Sequence, residues 1–131
     1  MRKWLAIVAW VLCYSFNASA QHSTTDSIGS KTVSDLYNKA LFGDSLASSY
    51  VIIIKKEVKP HKHLKHSEHV VVLEGSGQMT LGNKGFGIKK GDVIFIPKNT
   101  VHSVISMGDQ PLKVISIQAP KFDGKDRVFI D

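Results

Sequence analysis

Four side chains that commonly bind metals lie in two short stretches of the sequence. His61, His63 and Glu68 precede a run of branched aliphatic residues, and His102 lies in a separate segment. Residues two apart on a strand face the same way, so His61 and His63 can direct both imidazoles at one point while Lys62 faces elsewhere. Three neutral imidazoles and one carboxylate suit a divalent transition metal such as Fe, Mn, Ni, Cu or Zn. The spacing therefore predicts a metal site.

The ligand set also indicates what the metal would do. A structural zinc site is closed, tetrahedral and more often rich in sulfur, whereas four ligands of six leave two positions open. Open positions favour the binding or activation of a small molecule. The alternative is that the histidines lie in an exposed turn and bind nothing, but the agreement of the spacing in two separate stretches argues against it.

The two stretches resemble the signature motifs of the cupin superfamily. The second motif departs at Asn99, where cupins usually have Gly, and at Ser106, where they often have Asn; Asn is the residue that best replaces Gly at positive φ. The matching positions are His61, His63, Glu68 and Gly75, followed by Gly91, Pro97 and His102. The resemblance covers residues 46–120 and implies an all-β fold, a jelly-roll β-barrel with its metal inside.

Residues 1–20 have the composition of a secretory signal peptide. Arg2 and Lys3 precede an apolar run over residues 4–16, and Ala18 and Ala20 are the small residues of a cleavage site. The run is shorter than the ~20 residues of a spanning helix, which argues against the alternative of a membrane anchor. The sequence therefore predicts an exported protein, periplasmic or secreted, that starts at Gln21 and is not stably inserted in a membrane.

The remaining chain has the composition of one small globular domain. Cys13 is the only cysteine of the 131 residues, so the exported form has no disulfide. The net charge of +6 falls by two when Arg2 and Lys3 are removed, and no polybasic run with interleaved aromatics is present. Nucleic acid is therefore not an expected partner.

Residues 21–45 are predicted to be a flexible leader and a short helix. The leader is rich in Ser, Thr, Asp and Gly, which bury little apolar surface. The helix is expected over residues 33–42 because the apolar residues there recur at helical spacing before Gly43: Val33, Leu36, Tyr37, Ala40 and Leu41. Its apolar stripe would dock outside the barrel or on a neighbouring subunit, which leaves a homodimer open.

From Asp44 onward the pattern changes to short apolar segments separated by turn residues, which is typical of an all-β sandwich or barrel. Strands are expected near residues 48–58, 67–74, 76–82, 85–89, 92–97, 101–107 and 112–119. The barrel is predicted to end at residue 120, and residues 121–131 to form a C-terminal arm that packs through Phe129 and Ile130.

Other polar residues near the motifs are predicted to have simpler roles. His66 is expected in an exposed loop, and His69 should point away from the metal because its strand parity is opposite to that of Glu68. Glu74 and Asp92 each adjoin a glycine at a strand end and are expected in turns.

Two classes of function remain open, and fold analogy cannot choose between them. One is a non-catalytic module that holds a small organic ligand on the metal. The other is a metal-dependent enzyme, either an oxidoreductase of the dioxygenase type or a decarboxylase or isomerase. Arg127 is the only arginine after the signal and lies in the tail, so the barrel is predicted to lack the bidentate clamp for a carboxylate such as oxalate. Aliphatic residues are expected around the metal, among them Val70, Val72 and Val104.

Overall fold

The computed structural model of the chain describes residues 20–29 and 34–131. These residues form ten strands and contain no helix. No helix that is long and apolar enough to cross a membrane is therefore found among them. The strands are β1 (Leu36–Gly43), β2 (Ser48–Ile54), β3 (Glu57–Lys62), β4 (Ser67–Glu74), β5 (Ser76–Leu81), β6 (Lys84–Lys89), β7 (Val93–Ile96), β8 (His102–Met107), β9 (Leu112–Ala119) and β10 (Val128–Phe129).

The strands build two five-stranded antiparallel sheets. One sheet has the order β1-β2-β9-β4-β7, and the other has the order β10-β3-β8-β5-β6. Several neighbours in space are distant in sequence, since β4 pairs with β9 and β3 pairs with β8. The predicted jelly-roll fold is confirmed.

Turn residues set most of the strand boundaries. The predicted strand over residues 48–58 is divided at Lys55 and Lys56, because β2 stays in the first sheet while β3 joins the second.

Asn99 has a φ of 61°, so it adopts the left-handed conformation expected of a glycine at this position. The departure from the cupin motif at Asn99 therefore preserves the backbone geometry.

The short helix predicted over residues 33–42 is wrong for the residues that the structure describes. Leu36–Gly43 forms strand β1, which pairs with β2, and Val33 lies outside the described residues. Tyr37 and Leu41 both pack on the apolar cluster beneath β1. A spacing of four places two side chains on one face of a strand as well as of a helix. Pairing with β2 therefore decides between two conformations that the local pattern allows.

Both sheets contribute side chains to one apolar core. Its buried members are Ile54, Val70, Val72, Met79, Ile88, Ile94, Ile96, Leu112 and Val114. Val70 and Val72 share strand parity with Glu68 on β4. The core therefore continues along one face of β4 into the polar residues described below.

Residues 20–29 contribute one side chain to a second apolar cluster. Ile28 is 4% exposed and packs with Val51 and Ile53 of β2. Apart from Ala20, the predicted signal peptide lies outside the described residues.

We predict that Gly75→Ala destabilises the barrel strongly. Gly75 joins β4 to β5 with a φ of 76°, and an added Cβ would lie 2.5 Å from the carbonyl oxygen of Pro111. The left-handed backbone alone costs a non-glycine residue about 1–2 kcal/mol, and the overlap adds to that cost. Urea denaturation measures the loss of unfolding free energy. Gly108→Ala is the control, because Gly108 also has a positive φ but no atom lies within 4 Å of its added Cβ; equal losses in the two variants would contradict the packing at Gly75.

Candidate metal centre

Strands from both sheets position the four candidate ligands. His61 in β3 lies directly opposite His102 in β8. His63 follows the last residue of β3, and Glu68 lies in β4 of the other sheet. Each of the four side chains is at most 6% exposed. The centre therefore lies between the sheets, where two separate segments of the chain meet.

The four side chains are close enough to share one ion. The ring centroids of His61 and His102 are 4.2 Å apart. The ring centroid of His63 lies 5.1 Å from that of His61 and 5.3 Å from that of His102. Oε2 of Glu68 is 3.5 Å from Nε2 of both His63 and His102. One nitrogen from each histidine lies within 4.8 Å of the other two. The structure thus brings together all four residues that the sequence singles out.

A backbone carbonyl fixes the tautomer of each imidazole. Nδ1 of His61 lies 2.8 Å from the carbonyl oxygen of Lys59, and Nδ1 of His102 lies 3.0 Å from that of Thr100. Nδ1 of His63 contacts the carbonyl oxygen of Asp126 in the same way. A carbonyl oxygen only accepts, so each neutral ring carries its proton on Nδ1 and keeps a lone pair on Nε2. This is the arrangement in which protein histidines bind metals.

The nitrogens Nε2 of His63 and His102 have no hydrogen-bond partner among the described residues, although both are buried. Buried polar atoms without a partner are rare and cost free energy. A cation held between these two nitrogens and Glu68 would satisfy both. The donor set therefore fits a divalent transition metal.

Two residues that the sequence analysis missed orient Glu68. Ser116 donates a short hydrogen bond to Oε1 of Glu68, and Nε2 of Gln118 donates to Oγ of Ser116 at 3.1 Å. Both side chains are buried on β9 and continue the face that carries the core residues Leu112 and Val114. Polar residues at inward positions of a strand were the signal that could have revealed them. They hold Oε1, which leaves Oε2 directed at the histidines.

The charges of the centre are strongly perturbed. Burial alone would raise the pKa of Glu68, but the contacts of Oε2 with His102 and His63 and the hydrogen bond from Ser116 outweigh it and hold that pKa far below its usual range. Burial, together with the charge of His102, lowers the pKa of His61 to about 4. Burial also opposes protonation of His63, but Glu68 and the carbonyl of Asp126 raise its pKa overall. The metal-free centre therefore combines a carboxylate with a neutral His61.

His66 lies in the loop between His63 and Glu68 as predicted, but its expected exposure is wrong. His66 is 2% exposed, and its Nδ1 lies 2.8 Å from Oδ2 of Asp126. The carboxylate of Asp126 also accepts hydrogen bonds from the backbone amides of Leu64 and Lys65, both at 2.8 Å. Asp126 lies more than 60 residues away in the C-terminal arm, so no local pattern could reveal it. The arm thus covers and fixes the loop between His63 and Glu68.

The other polar residues lie as the sequence predicts. His69 is exposed on the outer face of β4, where its ring lies 4.9 Å from that of Phe95. Asp92 accepts a hydrogen bond from the amide of Lys89 in the turn before β7, at 2.8 Å. Glu74 ends β4 and pairs with Nζ of Lys113 at 3.0 Å. None of the three contributes to the centre.

A cavity of about 160 Å³ adjoins the centre. His61, Glu68 and His102 form part of its wall, and most of the remaining wall is aliphatic. Val70 and Val104 line it as expected, whereas Val72 is buried in the apolar core and is not part of the wall. Arg127 lines it too, so the expectation that this arginine lies in the tail away from the barrel interior is wrong, whereas the predicted lack of a bidentate clamp for a carboxylate such as oxalate stays a prediction.

Comparison with known proteins places these features in a family. Residues 50–118 match the cupin domain family, so the chain belongs to the cupins. An uncharacterized protein of Methanocaldococcus jannaschii is 38% identical over 87 residues, which cover 66% of this chain and 69% of that protein.

Solved structures support the same fold at lower identity. A double-stranded β-helix protein from Klebsiella pneumoniae gives a TM-score of 0.73 at 17% identity, covering 86% of this chain and 99% of the other. KdgF from Halomonas sp. gives a TM-score of 0.71 at 16% identity, covering 81% of this chain and 98% of the other. At such identities the likeness shows the fold alone.

We predict that, in the metal-free protein, the pKa of His61 lies below the usual histidine value and the pKa of His63 lies above it. Histidine NMR should show His61 neutral down to about pH 4, whereas His63 should become protonated above pH 6.5. The lowered pKa of His61 gives stability that is present above pH 6.5 and is lost as the pH falls towards 4. Titration of His61 near 6.5 would show that its ring is not buried as described.

Proposed function

We propose that this cupin is an exported protein that binds a divalent transition metal through His61, His63, Glu68 and His102 and holds a small organic ligand on it. The observation that supports the metal is the convergence of buried Nε2 lone pairs on one carboxylate oxygen. A hydrogen bond from Nδ1 to a backbone carbonyl orients the ring of each of the three histidines. A site built only for packing would have no need of three oriented imidazoles.

The bound metal would supply Lewis acidity to a ligand oxygen, and the chain's own residues would do the rest. Four protein ligands would leave positions open on an ion that accepts six, and the cavity adjoins three of the residues that would hold the ion. Ser116 and Gln118 hold Glu68 in place, and Asp126 holds His63. The aliphatic wall excludes water from the ligand.

The size of the cavity limits the ligand. An engineered apolar cavity of about 150 Å³ holds one benzene molecule. The cavity beside the centre has a similar volume of about 160 Å³. A ligand with a compact, partly apolar body and one or two oxygens for the metal fits this space.

The metal proposal is tested by replacing each ligand with alanine. Loss of residues that only orient a metal ligand typically costs about 10–100-fold in metal affinity, so His61→Ala, His63→Ala, Glu68→Ala and His102→Ala should each cost that much or more. Elemental analysis and competition with a chelator measure the affinity. His69→Ala and His22→Ala are the controls, because His69 faces outward and His22 lies before β1. Equal metal content in all six variants would refute the site.

Export is a separate proposal and rests on residues 1–20. Cleavage after Ala20 should leave Gln21 as the N-terminal residue. The intact mass of protein recovered from the periplasm or the medium measures the cleavage. Full-length chain retained in the membrane would show that the segment is an anchor.

A further inference from the structure

Arg127 occupies an anchored position next to the metal centre. The preceding residue, Asp126, is buried and holds both His63 and His66. The following residues form β10, in which Phe129 pairs with His61. Arg127 is thus fixed on both sides to the segment that carries two of the candidate ligands, and its side chain lines the cavity.

The guanidinium of Arg127 has no partner within the described part of the chain. Its Nε is buried and makes no hydrogen bond, and no carboxylate there forms an ion pair with it. Burial is the largest effect opposing protonation of His61 and His63, and the charge of Arg127 lies close enough to oppose it further, although the pKa of His63 is raised overall. Arg127 as a whole is half-buried, but its Nε is shielded from water without an acceptor, and an anion in the cavity would supply one.

The charges around the cavity favour an anion. Among the described residues, Glu68 is the only acidic one in the cavity wall, and it is already engaged by Ser116 and the histidines. A divalent metal would exceed the charge of Glu68 by one, and Arg127 adds another positive charge. The cavity would then hold two uncompensated positive charges beside an aliphatic wall.

We infer that Arg127 binds the carboxylate of a small, partly apolar ligand whose other end reaches the metal. This inference rests on the proposed metal site and names the class of ligand for it. Arginine matches a carboxylate with two parallel hydrogen bonds, which a lysine cannot reproduce. The volume of about 160 Å³ and the aliphatic wall favour a compact organic acid over a larger or fully hydrated anion.

The test compares carboxylates with their neutral amides of the same shape. 4-Oxopentanoate, 3-hydroxybutyrate and 3-hydroxybenzoate, each of which has a second oxygen for the metal, are titrated beside their primary amides into Co²⁺-loaded protein by calorimetry, with inorganic phosphate as a further anion. At least one acid should bind about tenfold more tightly than its amide, because hydrogen bonds to charged groups are the stronger ones. Arg127→Gln should remove this preference, and Arg127→Lys should restore only part of it.

Lys125→Gln is the matched control. This substitution removes one positive charge from the same arm, but Lys125 is exposed and does not line the cavity. The variant should therefore prefer acids over amides as strongly as the wild type does. Metal content and the melting temperature are measured for every variant, and Arg127→Lys keeps the test valid if Arg127→Gln folds poorly.

The outcomes separate the two proposals. If the wild type does not retain Co²⁺, the metal site is refuted, and the same titrations on metal-free protein still report on Arg127. If Co²⁺ is held but the acid preference survives in both Arg127 variants, the metal alone selects the anion and the inference about Arg127 fails. Failure of every acid to bind, or tighter binding of phosphate than of any acid, would also overturn it.

Discussion

The hydrogen bonds between each imidazole Nδ1 and a backbone carbonyl are the constraint on which the centre depends. Two of the acceptors, Lys59 and Thr100, lie two residues before the histidine that they orient. The third is supplied by Asp126 from the far end of the chain. Strand geometry thus orients His61 and His102 locally, whereas His63 depends on the C-terminal arm. A barrel that forms without the arm would present an incomplete set of ligands.

The difference between local and distant contacts explains what the sequence could predict. The strands after residue 66 and the four clustered residues follow from period two, turn residues and motif spacing, all of which are local. The helix failed because a spacing of four suits both a helix and a strand, and β2 decided the outcome. Asp126 was missed, and Arg127 was placed away from the cavity, because contacts across more than 60 residues fix the C-terminal arm.

The centre and the core are one continuous structure rather than a site placed on a scaffold. β4 carries Glu68 and the core residues Val70 and Val72 on one face, and one face of β9 likewise carries core residues followed by the polar pair that holds Glu68. If the register of β4 against β9 shifted by one residue, the side chains of the shifted strand would turn to the opposite face of the sheet. The register that packs the core therefore also assembles the ligands.

The position of β10 has a consequence for association between copies of the chain. β3 would be the edge strand of its sheet if β10 did not cover it. Exposed edge strands offer free amides and carbonyls to other chains and promote aggregation. Two features protect this edge: Phe129 pairs opposite His61, and Pro60 has no amide to offer while its carbonyl accepts from the amide of Ile130. The short terminal strand thus shields the histidine-bearing strand from pairing with a neighbouring molecule.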